Sequence, residues 1–488
     1  MIWFHKEKKT HTCLWVFLVI VGILIGFLAV AGYNMYRSLN VLNGIVSQTP
    51  SGILGNSASS SNSFFQILLG MQSPQTYLLL FQNNTEIRPG GGFIGSYAVV
   101  RFDHGKPEIL KVEGIETLDK AADKSLLPQP PAPIKKYLGV DKWYVRDSNW
   151  SPDFAESAKQ ALALYRLENG TAADQINTVI AITPTFVEGL LSRVGTTTIQ
   201  GIPFTPQNFT EKLEYEVEYG YADRGTSFAK RKSILDPFMR ELALKVGADF
   251  FLHSDAYATL LETLSREKHL VAYSDDAEIA RVLAEAGIDG KIKQTQNDFL
   301  LWVDANLAAL KTDHAMERSL SYSIYPDSKN NRLIAKAAMT YVHTGKFDWR
   351  TTRYRSYVRV FVPSGSVLIG VSTQGARGAT IPFSAIDQGE ELGKTWFGTF
   401  ISIEPGETRQ LIFEYALPNK INESVQSGFY DLTLQKQIGT VNTLLTLNLQ
   451  FDKKVTAAAP AEVKEKWGDS VYNVQGDLRH DESFEVKF

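Results

Sequence analysis

Apolar positions along the chain fall into three regimes. The first is a single block, "LWVFLVIVGILIGFLAVAG" (Leu14 to Gly32), 19 residues without a charge and uncharged onward to Tyr36. A run of about 20 apolar residues spans a bilayer as a helix, so one transmembrane helix is expected over residues 14–36. Lys6, Lys8 and Lys9 precede it and only Arg37 follows closely. The positive-inside rule then leaves residues 1–13 as a cytoplasmic tail and sends the bulk of the chain outside. The rival is a cleaved signal peptide, with Ala29-Val30-Ala31 as its small-x-small site, although a signal core is shorter, about 7–15 residues. "GNSASSSNS" (Gly55 to Ser63) is a small polar run, which makes residues 37–75 a linker.

The second regime, residues 76–318, alternates short buried-strand runs with helical periods. "TYLLLF" (Thr76 to Phe81) is a strand, and "SYAVVRFDHGKPEILKVEG" is a hairpin turning at Asp103 to Lys106. "SPDFAESAKQALALYR" predicts a helix with Ser151 as N-cap and Pro152 at its first position. "TVIAI" is a strand followed by a helix in "PTFVEGLLSRVG". A long helix is expected from about Ser227 to Val246 with a kink near Pro237, then a helix over 254–266, strand "HLVAY", a helix over 276–286 and strand "DFLLWV". Strands separated by helices imply an α/β domain with a mixed, mostly parallel sheet flanked by helices. In the third regime, 319–452, eight strand-like runs from "SLSYSIYP" to "VNTLLTLNLQF" are punctuated by turns such as Pro363-Ser364-Gly365. That spacing predicts an all-β sandwich. Residues 453–488, beginning with the "AAAPAE" run, read as a C-terminal tail.

Composition narrows the function classes. The 488 residues carry 50 Lys and Arg against 53 Asp and Glu, a formal charge of -3, which argues against a dedicated nucleic-acid binder. Cys13 is the single cysteine, so no intramolecular disulfide forms, and an outer region without disulfides favours a bacterial envelope over a eukaryotic secretory route.

Three stretches carry candidate chemistry. "EIRPGGGFIGSY" (Glu86 to Tyr97) spells G-x-G-x-x-G with Gly90, Gly92 and Gly95. A dinucleotide loop must open a helix, and the sequence after Gly95 is β-type, so no nucleotide cofactor is expected. The glycines read as a tight strand–turn–strand. The Gly90, Gly91 and Gly92 backbone beside Arg88 is also a candidate anion cradle. "RDSNWSPDF" (Arg146 to Phe154) gathers two acids, an Arg, an Asn and a Trp at a helix start. Capping explains Ser151 and Asp153, and a site-lining loop would account for the rest. "ADRGTSFAKRKSI" places Arg224 before the predicted long helix and Arg231 and Lys232 in its first turns. Cations there oppose the helix dipole, which suits either a bound anion or a solvated face. No phosphate-loop, zinc-protease, nucleophile-elbow or cysteine metal motif is present.

"LLLFQNNTEIRPGGGFIGSY", "RDSNWSPDF", "VIAITPTFVEGLLSRVG", "ADRGTSFAKRKSI", "DFLLWVDANLAALKTD" and "YRSYVRVFVPSGS" resemble the bacterial membrane-anchored domain-of-unknown-function family four-zero-one-two, over about residues 75 to 450. More distantly, "DQINTVIAITPTFVEGLLSRVGTTTIQG" and the stretch from Tyr219 to Lys232 are similar to LytR-CpsA-Psr cell-envelope proteins. The latter attach glycopolymers from a polyprenyl-pyrophosphate carrier to peptidoglycan, with arginines on the pyrophosphate and acids on Mg2+. The resemblance implies that Arg224 and Arg231 bind phosphate, that Lys232 occupies a second basic position, and that Glu86 and Arg88 match an acid-x-Arg motif. Arg146 joins them as a phosphate-binding candidate. Asp147 and Asp223 are the candidate catalytic acids, and Glu86, Asp147 and Asp153 the candidate Mg2+ ligands. The departure is the missing acid between Gly90 and Tyr97, which leaves the metal motif incomplete. Two functions are therefore expected of a single-pass extracytoplasmic envelope protein. One is binding or transfer of a polyprenyl-pyrophosphate-linked glycan. The other is a non-catalytic role in binding glycan or lipid phosphate, or in assembly.

Overall fold

A computed structural model describes residues 66–488 except 229, 230, 328, 331, 376 and 377. The expected membrane helix over 14–36 and residues 37–65 of the linker lie outside the described residues. Among the described residues no helix is long and apolar enough to cross a membrane.

The chain runs β1 (Gln75–Asn83), β2 (Phe93–Asp103), β3 (Lys106–Gly114), α1 (Ile115–Ala121), α2 (Ala132–Leu138), α3 (Phe154–Leu167), β4 (Ile176–Ile182) and α4 (Pro184–Val194). It continues with β5 (Thr197–Ile199), β6 (Ile202–Phe204), α5 (Phe209–Tyr215), α6 (Leu235–Arg266), β7 (Leu270–Ser274), α7 (Ala277–Glu285) and β8 (Asp298–Asn306). From there it is β-rich, beginning with β9 (Met316–Asp327), β10 (Arg332–His343) and β11 (Tyr354–Pro363). The chain is therefore mixed α/β with several sheets and a β-rich C-terminal region.

Two compact units divide it. The first comprises residues up to Gln82, Ile94–Leu127 and Ala158–Gly290. Its sheet has the order β3-β2-β1-β4-β7. β1 and β4 are parallel, but β2–β3 and β4–β7 are antiparallel, which corrects the expectation of a mostly parallel sheet. The reasons are local. β2 and β3 are joined by His104 and Gly105, both at positive φ (48° and 74°), the two-residue turn that only antiparallel partners can use. β7 enters beside the end of β4, with Leu270 opposite Ile182, so it must run back.

Helix α4 starts on Pro184 after the extended Thr183 and stops at Gly195, as the apolar spacing predicts. It buries Phe186, Val187, Leu190 and Leu191 against α6. A Cβ on Gly189 would stand 3.0 Å from Leu264 Cδ1, so the glycine permits that approach. α6 departs from expectation. It begins at Leu235, Pro237 falls in its first turn where no N–H partner is lost, and its backbone breaks at His253 (φ -136°, ψ 38°). Arg231 and Lys232 therefore precede the helix.

The second unit comprises Asn83–Phe93, Pro128–Ser157 and Lys291–Phe488. It holds two seven-stranded sheets. One orders Ala379–Ile381, Val367–Gly375, Thr408–Ala416, β10, β9, Leu444–Gln450 and Val471–Asp477. The other orders Asp387–Glu391, Lys394–Ile403, β11, β8, Phe429–Gln435, Glu482–Lys487 and Ala457–Ala459. Alternate residues of both sheets meet in one core, among them Ala335, Ala337, Met339 and Tyr341 from β10 and Val358, Val360 and Val362 from β11. Two boundaries move as a result. β8, expected in the α/β domain, is an inner strand here, parallel to Phe429–Gln435 and antiparallel to β11. The expected tail supplies Val471–Asp477 and Glu482–Lys487, each paired along its length.

Candidate functional site

The stretch from Asn83 to Phe93 belongs to the second unit, and Arg88 is its hub. The side chain is buried. Its Nε donates to Asp147 at 3.2 Å, Nη2 to Glu86 at 3.0 Å and Nη1 to the Asn306 carbonyl at 2.6 Å, while Phe93 packs 5.4 Å from the guanidinium. Burial alone would weaken the hold of Arg88 on its proton, but Glu86 and Asp147 outweigh it and raise the pKa. Burial likewise raises Glu86, against the pull of Arg88 and Lys311. Two of the three carboxylates proposed for Mg2+, Glu86 and Asp147, are thus the counter-ions of the arginine proposed for phosphate.

The glycines answer to packing. Gly90 N–H donates to the Asn149 carbonyl and Gly91 N–H to the Arg88 carbonyl, so neither is left for an anion. A Cβ on Gly92 would land on the Asn83 carbonyl and lie 2.7 Å from the Asn84 nitrogen. Asn149 Nδ2 donates to the Gly92 carbonyl at 2.7 Å, and Gln437 Nε2 donates to the Arg88 carbonyl at 3.1 Å. In "RDSNWSPDF", Asp153 rather than Ser151 caps α3, accepting from Glu156 N–H at 3.2 Å with one oxygen and from Ile292 N–H at 2.9 Å with the other. Trp150 stacks on Tyr357 (5.9 Å, 27°) and under Arg359. Arg146 packs 5.2 Å from the Tyr144 ring.

The other cations lie in the first unit. Arg231 Nη2 and Lys232 Nζ meet the two oxygens of Glu116 at 2.5 and 2.8 Å, and Lys232 also donates to the Gly95 carbonyl at 2.6 Å. Burial pushes Glu116 up, but Lys232 and Arg231 hold it below the usual carboxylate range. Arg224 pairs with Glu216. Asp223 is exposed on the short turn Tyr221–Asp223. The predicted residues therefore form two groups, Glu86, Arg88, Arg146, Asp147 and Asp153 in the second unit and Asp223, Arg224, Arg231 and Lys232 in the first. Among the described residues no three His, Cys, Asp or Glu side chains gather as a metal set.

A second buried network is not legible in the sequence. Arg318 donates from Nε to Asp304 at 2.9 Å and from Nη2 to Asp313 at 2.5 Å and Tyr354 at 2.9 Å. Tyr341 closes it on Asp304 at 2.7 Å. Asp313 also accepts from Ile87 N–H at 3.1 Å, tying the network to the Arg88 loop. A small cleft of about 20 Å³ opens beside it, lined by Trp302, Asp304, Arg318, Lys436, Gln437 and Thr440 among others. The members come from distant strands, and only the polar residues recurring among apolar ones in β8 and β9 hint at them.

No curated protein matches the chain. Among solved structures, a candidate nutrient-binding protein from Legionella pneumophila is 6% identical with a TM-score of 0.23, covering 39% of this chain and 71% of that one. Leukotriene A4 hydrolase from Saccharomyces cerevisiae is 8% identical with a TM-score of 0.21, covering 37% of this chain and 28% of that one. Likenesses so slight carry no argument about fold or activity. The family described as "Protein of unknown function (DUF4012)" matches residues 72–218, a span holding both the glycine-rich loop around Arg88 and the start of α3. Over that segment the chain is similar to this family.

Proposed function

We propose that the chain is a non-catalytic protein of the bacterial cell envelope, held in the membrane by one helix over residues 14–36, its outer region serving binding or assembly. One observation carries this reading. Four of the five cations assigned to a pyrophosphate, Arg88, Arg224, Arg231 and Lys232, each end on a carboxylate of their own unit: Glu86 and Asp147, Glu216, and Glu116; the fifth, Arg146, packs against Tyr144. A pyrophosphate would have to displace these carboxylates, and at Arg88, the buried member of the set, removing one partner of the pair costs about 3–5 kcal/mol. A transferase working by charge stabilisation needs its donors pre-aimed at the reacting phosphate, whereas these are aimed at acids.

The test is incubation of the full chain with a labelled polyprenyl-pyrophosphate-linked glycan, with and without Mg2+. No release of polyprenyl phosphate above the rate without protein is expected. Release that depends on Mg2+ and disappears in Arg231→Ala would instead establish the LytR-CpsA-Psr type of transfer and end the non-catalytic reading.

A further inference from the structure

Lys394 opens the strand Lys394–Ile403 of the second unit and is only 1% exposed. Its ammonium lies 4.5 Å from the ring centroid of Phe299, and among the described residues no carboxylate pairs with it. Its ladder neighbour Glu391 is held by Arg359 at 3.3 Å. Glu390 accepts from Ser364 at 3.1 Å and from Thr395. The charge that does act on Lys394 is another cation, Lys420; burial first and that ammonium second lower its pKa. Burying a charge without a counter-ion is costly, and a cation–π contact offsets only part of that cost.

Lys420 is the second residue of the helix Asn419–Gln426, which starts close to Lys394. Pro418, the N-cap, has no side-chain acceptor to offer, and the first turn holds no acid. Pro418 packs on Gly365, where an added Cβ would stand 3.9 Å from the proline's own. Gly365 N–H in turn donates to Thr395, the residue after Lys394, at 3.0 Å. Lys420 Nζ donates to Gln296 at 3.2 Å, three residues before the Phe299 ring beneath Lys394. Ile421 N–H turns back to the Pro418 carbonyl, which leaves the Asn419 and Lys420 N–H groups without a partner inside the helix. Two ammoniums and an uncapped helix start are thus brought together.

We propose that Lys394, Lys420 and the N-terminus of Asn419–Gln426 bind a phosphate group. Charge selects the occupant. Two ammoniums balance the nearly two negative charges of a phosphate near neutral pH, whereas a carboxylate would leave one of them uncompensated. Lysine serves phosphate as a point charge and needs no fork geometry. The first-turn N–H groups and the helix dipole supply the remaining attraction. Lys394 is the fixed cation, while Lys420 and Gln296 are exposed and swing to admit the anion. The site uses none of the residues weighed above for pyrophosphate, and it stands whether or not the chain is catalytic.

The experiment is calorimetric titration of the full chain in nonionic detergent with inorganic phosphate and with glycerol 3-phosphate, at an ionic strength held constant with chloride. One phosphate per chain is expected. Its binding should weaken at least tenfold in Lys394→Met and in Lys420→Gln and stay unchanged in Lys346→Gln, an exposed lysine of the same unit. Phosphate should also raise the melting temperature of the parent and not that of Lys394→Met. Lys420 is exposed, so its variant decides the matter should Lys394→Met fail to fold. Binding of inorganic phosphate alone assigns the site to free phosphate. Tighter binding of glycerol 3-phosphate, lost in the same variants, assigns it to an esterified phosphate such as a lipid headgroup. The proposal is overturned if neither probe binds, or if either lysine variant binds as the parent does. None of these outcomes bears on release of polyprenyl phosphate, so this site and the non-catalytic reading fail separately.

Discussion

Asp298 opens β8 with no exposed surface. One oxygen accepts from both Tyr322 and Tyr430, at 2.7 and 2.6 Å, and the Phe299 N–H reaches the other at 2.7 Å. Burial raises its pKa to about 6, and those three donors pull only partly the other way. Between roughly pH 4 and 6 the folded chain then holds a proton that the unfolded chain has released. The sign follows: this contribution is fully present below the unfolded pKa and is lost as pH rises through the folded one. A shift of about two units corresponds to about 3 kcal/mol. In denaturant titrations at pH 4.5 and 7, the parent should lose about 2 kcal/mol more stability than Asp298→Asn across the interval, since part of the contribution is already gone at pH 4.5; equal losses would discard the assignment. Nothing in "NDFLLWV" marks this aspartate, because the two tyrosines that enclose it lie far along the chain and face it only after folding.

The same limit applies to whole elements, and G-x-G-x-x-G shows where it bites. That the motif is not a nucleotide loop is legible, since β2 follows it. What the glycines serve is not, because the contacting atoms belong to Asn83, Asn149 and Gly439. The positions should differ sharply. At Gly92 an added methyl meets Asn83 backbone, which cannot swing aside, so Gly92→Ala should cost about 3 kcal/mol. At Gly95 nothing lies within 4 Å of where that methyl would stand and φ is not positive, so Gly95→Ala should stay within about 0.5 kcal/mol of the parent. Chemical denaturation of the two single variants measures the contrast. Equal costs would return the motif to a shared functional constraint. Hairpin β2–β3 and helix α4 are legible for the converse reason, since turn chemistry and apolar period are local. The start of α6 escapes the sequence because the charged, glycine-containing stretch before it also fits a helix by propensity alone.

At the scale of the molecule, the chain passes between the two units five times, and no compositional boundary marks those passages. A strand pattern reveals that β8 is buried, but buried strands look alike in either unit. The parallel pairing of β8 with Phe429–Gln435, Asp298 opposite Leu432, joins positions too distant for any period to register. This bears directly on fragments. Residues 319–452, the β domain that strand spacing alone outlines, would lack β8 and the three C-terminal strands, Ala457–Ala459, Val471–Asp477 and Glu482–Lys487. Every residue of β8 is buried, and Phe299, Leu300, Leu301, Trp302 and Val303 each contribute about 2 kcal/mol of burial. Their loss, roughly 10 kcal/mol, matches the whole stability of an ordinary domain, about 5–15 kcal/mol. It would also expose two unpaired strand edges, on β11 and on Phe429–Gln435. The fragment 319–452 should therefore give no cooperative melt and no near-ultraviolet dichroism, while 66–488 gives both. A sharp transition with slow amide exchange in the shorter piece would mean that β8 and the C-terminal strands are accessories to a self-sufficient sandwich, and would return the domain boundary to residue 319.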